Sequence, residues 1–121
     1  MIELLSGFPE NVVAVSAKGN LQRQDYVAVL EPAVEAAFAK HSKVRFYYEL
    51  GPELHGVQAG AAWEDLKVGV RHWTAWERIA VVTDIEWIRH SINAFAFLMP
   101  GRVRTFPQAE AEAAHTWISA A

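Results

Sequence analysis

Five histidines, His41, His55, His72, His90 and His115, are the first side chains to weigh for chemistry. None stands four residues from another, and no His-Glu-x-x-His run occurs, so a metal site would need ligands gathered wholly by the fold. The chain has no Cys, which excludes disulfides, thiolate metal sites and cysteine nucleophiles. Glu64 and Asp65 adjoin but would point about 100° apart on a helix, so they do not form a paired-carboxylate acid/base site. Their charge suits the first turn of a helix instead. Ser6, Ser16, Ser42, Ser91 and Ser119 are the only serines, and none lies in Gly-x-Ser-x-Gly. No Gly-x-Gly-x-x-Gly or Gly-Lys-Ser/Thr loop is present to cradle a phosphate. The residues therefore predict no catalytic centre, no metal and no cofactor: the expectation is a non-enzymatic domain.

What the chain does hold is an excess of large apolar side chains. Its five Trp among 121 residues include Trp63, Trp73, Trp76 and Trp87, which fall in two amphipathic stretches on either side of one β-like run. Core packing accounts for any one of them, but together they suit the wall of an apolar pocket. The second stretch adds to the pattern. Ile85, Ile88, Ile92, Phe95 and Met99 form one stripe, and Glu86, Arg89, His90 and Asn93 form the opposite face. The last turn, residues 94–99, is apolar all round. Such an end must be covered by a neighbouring helix, a second copy, a membrane surface or a ligand. The expected ligand site lies between a helix over 61–76 and a helix over 85–99. Its lining would come from Trp63, Val70, Trp73, Trp87, Phe95, Phe97 and Met99, with Tyr48, His55 or His72 as polar anchors. Residues 51–60, with three Gly and one Pro, read as a loop able to act as its lid.

The elements that must position these residues follow from periodicity. Residues 2–6 and 11–17 are β-like runs about a turn at Gly7 and Pro9, and their spacing predicts that they pair as a hairpin. Tyr26, Leu30, Val34 and Phe38 recur every four residues, a helix over about 22–41 that Pro32 must kink or divide. Val44, Phe46, Tyr48 and Leu50 alternate with Arg45, Tyr47 and Glu49, a strand with two distinct faces. Residues 79–82 are apolar on both sides, as a central parallel strand is. Asp84 is placed to cap the helix over 85–99, residues 102–106 form a last strand, and Pro107 at N1 starts a final helix through Ile118. The order is β-β-α-β-α-β-α-β-α: one α/β domain over residues 1–121, a mixed sheet of about five strands with four main helices.

Composition agrees. Hydrophobic residues are 52% and charged residues 21%, as in an ordinary globular domain. A net charge of −3 argues against a nucleic-acid partner, whose footprint is a basic face. The first seven residues lack the basic start and apolar stretch of a signal peptide, and no apolar run approaches a membrane span. The expected setting is cytoplasmic, with peripheral contact at a membrane face.

An ordered set of landmarks carries a family resemblance. It comprises Gly19, the Asp25-Tyr26 pair and Pro32, then Val44-Arg45-Phe46 and Trp63-Glu64-Asp65-Leu66-Lys67. After these come 78–84 (Arg-Ile-Ala-Val-Val-Thr-Asp) with Trp87-Ile88, the strand ending at Phe106, and Ala114-His115-Thr116-Trp117-Ile118. The chain resembles the SpoIIAA-like group of the STAS superfamily, which is related to SEC14-type lipid-transfer domains. The resemblance implies a mixed sheet with helices and suggests a carrier of nonpolar, lipid-like molecules near membranes. It also implies an alternative, a protein–protein regulatory module. In that family the phosphorylated Ser lies at a strand-to-helix turn, yet residues 49–62 contain no Ser or Thr. The module would thus lack the serine phosphoswitch. A homodimer is a further expectation, since symmetric pairing is a common way to cover an apolar patch.

Overall fold

Two-sided burial of three neighbouring strands sets the architecture, seen here in a computed structural model. The structure describes residues 1–57, 67, 71, 73–99 and 101–121, apart from the side chains of residues 52, 53, 55–57 and 95. Its sheet runs β1 (Ile2–Leu4), β2 (Val12–Leu21), β3 (Val44–Val57), β4 (Trp76–Thr83), β5 (Arg102–Phe106), in that spatial order. β1 pairs with β2 antiparallel, and every later pairing is parallel. The predicted mixed five-stranded sheet is therefore present. Three helices accompany it among the described residues, where the sequence suggests four: α1 (Glu31–Lys40), α2 (Glu86–Ala96) and α3 (Ala111–Ser119). The remaining predicted helix, 61–76, lies mostly outside the described residues. Lys67 and Arg71 are helical, but 73–75 form a turn and Trp76 opens β4 rather than closing a helix. Its ring packs edge-on to Phe38 and tilted to Phe46, and that burial claims it for the sheet.

Alternation along the strands builds two cores. On one face Val13, Val15, Val44, Phe46, Tyr48, Leu50 and Val81 pack beneath α1 and α2. On the other, Val12, Ala14, Tyr47, Ala80, Val82 and Phe106 meet Ala114 and Ile118 of α3, both fully buried. Helix α1 is entered through a turn, Arg23–Asp25, and a π-helical stretch, Tyr26–Leu30. Pro32 explains that stretch. Its ring would clash with the carbonyl of Ala28, and widening the coil lets the Glu31 N–H donate to the Tyr26 carbonyl instead. The predicted division at Pro32 is realised as this widened turn.

Three local expectations are corrected. Residues 51–57 are not a loop: they continue β3, with Leu54, Gly56 and Val57 paired to Gly19, Asn20 and Leu21 of β2. Gly19, at φ +66°, absorbs the register shift there, a conformation glycine adopts without strain. Asp84 does not cap α2. The buried Thr83 hydroxyl accepts the Ile85 N–H at 3.1 Å, while the Asp84 carboxylate accepts the Gln108 N–H at 3.0 Å and so serves the approach to α3. Pro107 accordingly precedes a short 3₁₀ turn, Gln108–Glu110, instead of opening the helix itself.

Polar contacts close the α3 face. Arg45, only 9% exposed, donates through Nε to Glu77 at 2.6 Å and through its guanidinium to the carbonyls of Ile118 and Ala120. His115 donates from Nε2 to the Gly7 carbonyl at 3.0 Å and stacks edge-on against Phe8, pinning the β1–β2 turn. Tyr47 donates to Glu49 at 3.3 Å. Burial, then the Glu49 charge and this hydrogen bond, push the Tyr47 phenol well above its ordinary value of 10.

Two predictions follow from this packing. Gly101 sits against the backbone of β4, where an added Cβ would come within 3.0 Å of the Glu77 carbonyl oxygen and closer still to that of Trp76. Gly101→Ala should therefore cost about 1–3 kcal/mol in urea unfolding, and an unchanged midpoint would contradict the close approach. The second concerns alkali. A phenol whose pKa is raised on folding leaves stability intact below about pH 10 and removes it as pH rises further, because the unfolded state loses its proton first. Tyr47→Phe should flatten the fall in thermal stability above about pH 10 relative to the native chain.

Candidate functional site

Among the described side chains of helix α2, few enter the core. Its Ile88 is buried, whereas Ile85 and Ile92, with Met99 just beyond the helix, only partly enter the core beneath. Asn93 ties it to the sheet by accepting the Thr105 hydroxyl at 3.2 Å. The Ser91 hydroxyl donates back to the Trp87 carbonyl at 2.8 Å, a bond that satisfies the side chain within the helix and tends to bend it. Arg89 carries a buried Nε with no hydrogen-bond partner among the described residues.

The outward side is more unusual. Trp87 is 65% exposed, Phe97 81% and Leu98 52%. Trp87 and Leu98 are eleven residues apart, three helical turns, so they share a stripe if the helical path is extended through the last turn. Ala94 lies between them and is exposed as well. Of the apolar last turn read from the sequence, Ala94, Phe97 and Leu98 stand in solvent, whereas Ala96 and Met99 are half-buried. Trp73, in the turn before β4, is 36% exposed.

The predicted site residues thus divide into two groups. Tyr48 and Met99 point inward and belong to the same core cluster. Tyr48 is buried, and its hydroxyl lies 2.6 Å from that of Tyr26, a polar pair under the helices. Trp87, Phe97 and, in part, Trp73 face outward. His55 lies on β3 and Phe95 in α2, but their side chains are outside the description, and Trp63, Val70 and His72 lie outside the described residues. Arg71 donates to Glu35 of α1 at 2.9 Å, a contact across the fold.

A groove of about 290 Å³ opens elsewhere, between β1, β2 and α1. Leu4, Val12, Ala33 and Ala37 line it, and it continues past Lys40 and His41, whose Nε2 is buried without a hydrogen-bond partner among the described residues. None of the predicted site residues lines it. Sequence reasoning missed a second feature, a row of arginines across the strands: Arg45 is in register with Arg78, and Arg78 with Arg102. The only local signal was Arg102 and Arg104 alternating along one short strand. Among the described residues no cluster of His, Asp or Glu is arranged to hold a metal, and no helix is long and apolar enough to cross a membrane.

No curated protein matches the chain. Among solved structures, it is similar to the crystal structure of an uncharacterized protein of the DUF3478 family, with a SpoIIAA-like fold, from Shewanella loihica PV-4. The two are 25% identical over 97% of this chain and 93% of that one, with a TM-score of 0.76. The SpoIIAA-like family model matches residues 12–119, from the first residue of β2 to the last of α3. With the parallel sheet, its antiparallel first strand and the flanking helices in place, the chain belongs to the SpoIIAA-like family.

Proposed function

We propose that this domain is a non-enzymatic binder of a nonpolar, lipid-like molecule, which it meets along the outer face of α2. The observation that carries the reading is the exposure of Trp87 on α2 and of Phe97 and Leu98 in the turn that ends it, while Ile88 is the one fully buried apolar side chain among those described in the helix. Leaving three such side chains in water forgoes roughly 1.5–3 kcal/mol each, so a nonpolar occupant has a ready driving force. Ile85, Ile92 and Met99, half-buried beneath, would continue the apolar surface inward if α2 shifts. At a membrane face Phe97 and Leu98 would enter the acyl boundary, with Trp87 near the headgroups.

Membership of the SpoIIAA-like family favours a second reading, a protein–protein regulatory module without the serine phosphoswitch. Exposed Trp and Phe are typical anchors of protein interfaces too, and a second copy of the chain is one partner that would cover them.

Binding of palmitate, followed by displacement of a hydrophobic dye, separates the two. The double variant Phe97→Ser with Leu98→Ser should keep the native unfolding midpoint, since both side chains are exposed, and should bind roughly tenfold more weakly. Equal binding by variant and native chains, or none by either, would contradict the carrier reading. A native dimer that the same variant dissociates would support the regulatory module.

A further inference from the structure

The arginine row ends at an open edge. Neighbouring strands lie about 4.8 Å apart, so Arg45, Arg78 and Arg102 present three like charges side by side across β3, β4 and β5. Like charges directly opposite one another are destabilising. The fold neutralises this row from one end only. Arg45 has Glu77 and the carbonyls of Ile118 and Ala120. Arg78 donates to the carbonyls of Trp117 and Ala120, each at 2.9 Å, and to that of Ala121 at 3.3 Å. Even so, burial and the charges of Arg45 and Arg102 lower its pKa, with Glu77 acting the other way.

At the far end, Arg102 is exposed and has no carboxylate partner among the described residues. Arg104, two residues on and on the same face, is also exposed. Its guanidinium lies 4.7 Å from the centre of the Phe106 ring and 5.3 Å from that of Trp117, which steadies it while leaving its N–H groups free to donate. β5 is the last strand of the sheet. It pairs only with β4, and among the described residues no other strand is hydrogen-bonded to its outer edge.

We propose that the outer edge of β5 is a docking site for an extended acidic segment of a partner protein, which adds a sixth strand and sets alternate Asp or Glu side chains beside Arg102 and Arg104. Main-chain hydrogen bonds to an open edge supply affinity in this mode, and side chains at alternate positions supply specificity. The spacing fits, because residues i and i+2 of an added strand share a face just as Arg102 and Arg104 do. A second copy is a poor occupant: antiparallel pairing of two β5 strands about Val103 would set Arg102 against Arg104 of the other copy. Charged residues at an edge guard against self-association, and here the same charges select an acidic strand. This surface is distinct from the outer face of α2, and the proposal does not rest on the lipid-binding reading.

The test uses a fluorescein-labelled octapeptide of alternating Glu and Val, with an alternating Lys and Val peptide beside it, read by fluorescence polarisation on the full chain. The Glu peptide should bind and the Lys peptide should not. Arg102→Glu should weaken binding at least roughly tenfold, and Arg102→Lys should retain most of it. Arg102 has no ring beneath it among the described residues, so its replacement keeps the fold, with thermal unfolding as the check. Methylating alternate backbone nitrogens of the peptide should abolish binding, since it removes the donors that an added strand needs. No binding of the Glu peptide, indifference to Arg102→Glu, or full binding of the N-methylated peptide would each overturn the proposal.

Discussion

Burial of β3 on both faces is the constraint on which the structure depends. Val44, Phe46, Tyr48 and Leu50 face α1 and α2, and Tyr47 faces α3. A strand covered on both sides must have partners on both edges, because its backbone groups have no water to turn to. β2 and β4 supply them in parallel, and parallel pairing in turn requires crossover connections that return the chain to the same end of the sheet. Helices on the faces follow from that requirement. The polar side chains that β3 carries inward find partners across the fold: Tyr48 pairs with Tyr26, and Arg45 with Glu77 and the end of α3.

Coverage is unequal between the two faces. α3 seals its side with Ala114 and Ile118, small and medium side chains that bring the helix close, and Arg45 and Arg78 hold its last carbonyls. Among the described side chains, α2 is held by Ile88 and the Thr105–Asn93 contact, while Trp87 and, just past its end, Phe97 are exposed. A helix attached in this way opens at lower free energy than one with a fully buried stripe. The asymmetry makes the α2 face the place where an apolar occupant gains most, whereas the α3 face has little apolar surface left to offer.

Much of this was legible in the sequence because it rests on local pattern. Strict alternation at 44–50 revealed both faces of β3, and the four-residue spacing from Tyr26 to Phe38 revealed the first helix, with Pro32 marking its interruption. The uncovered end of α2 was visible as an apolar turn without a polar side. Other features depend on distant partners. Gly51, Pro52 and Gly56 look like loop residues, but pairing with Gly19–Leu21 of β2 outweighs their low strand preference. Asp84 has the chemistry of a cap, yet α2 starts only at Glu86, the Thr83 hydroxyl holds the Ile85 N–H, and the Asp84 carboxylate goes to Gln108. Trp76 reads as the end of a helix until Phe38 and Phe46 are seen around it. The row of arginines exists only in the register of three strands, which no local pattern encodes.

The account turns on α2 as the element that meets a nonpolar occupant. Amide hydrogen exchange on the full chain, with and without palmitate, tests this most directly. The account predicts slower exchange across residues 86–99 when palmitate is present, with β2 and the first half of β3 unchanged because both are already buried. Unchanged exchange over 86–99 at palmitate concentrations that displace the dye, or protection confined to the groove beside β1 and α1, would contradict it.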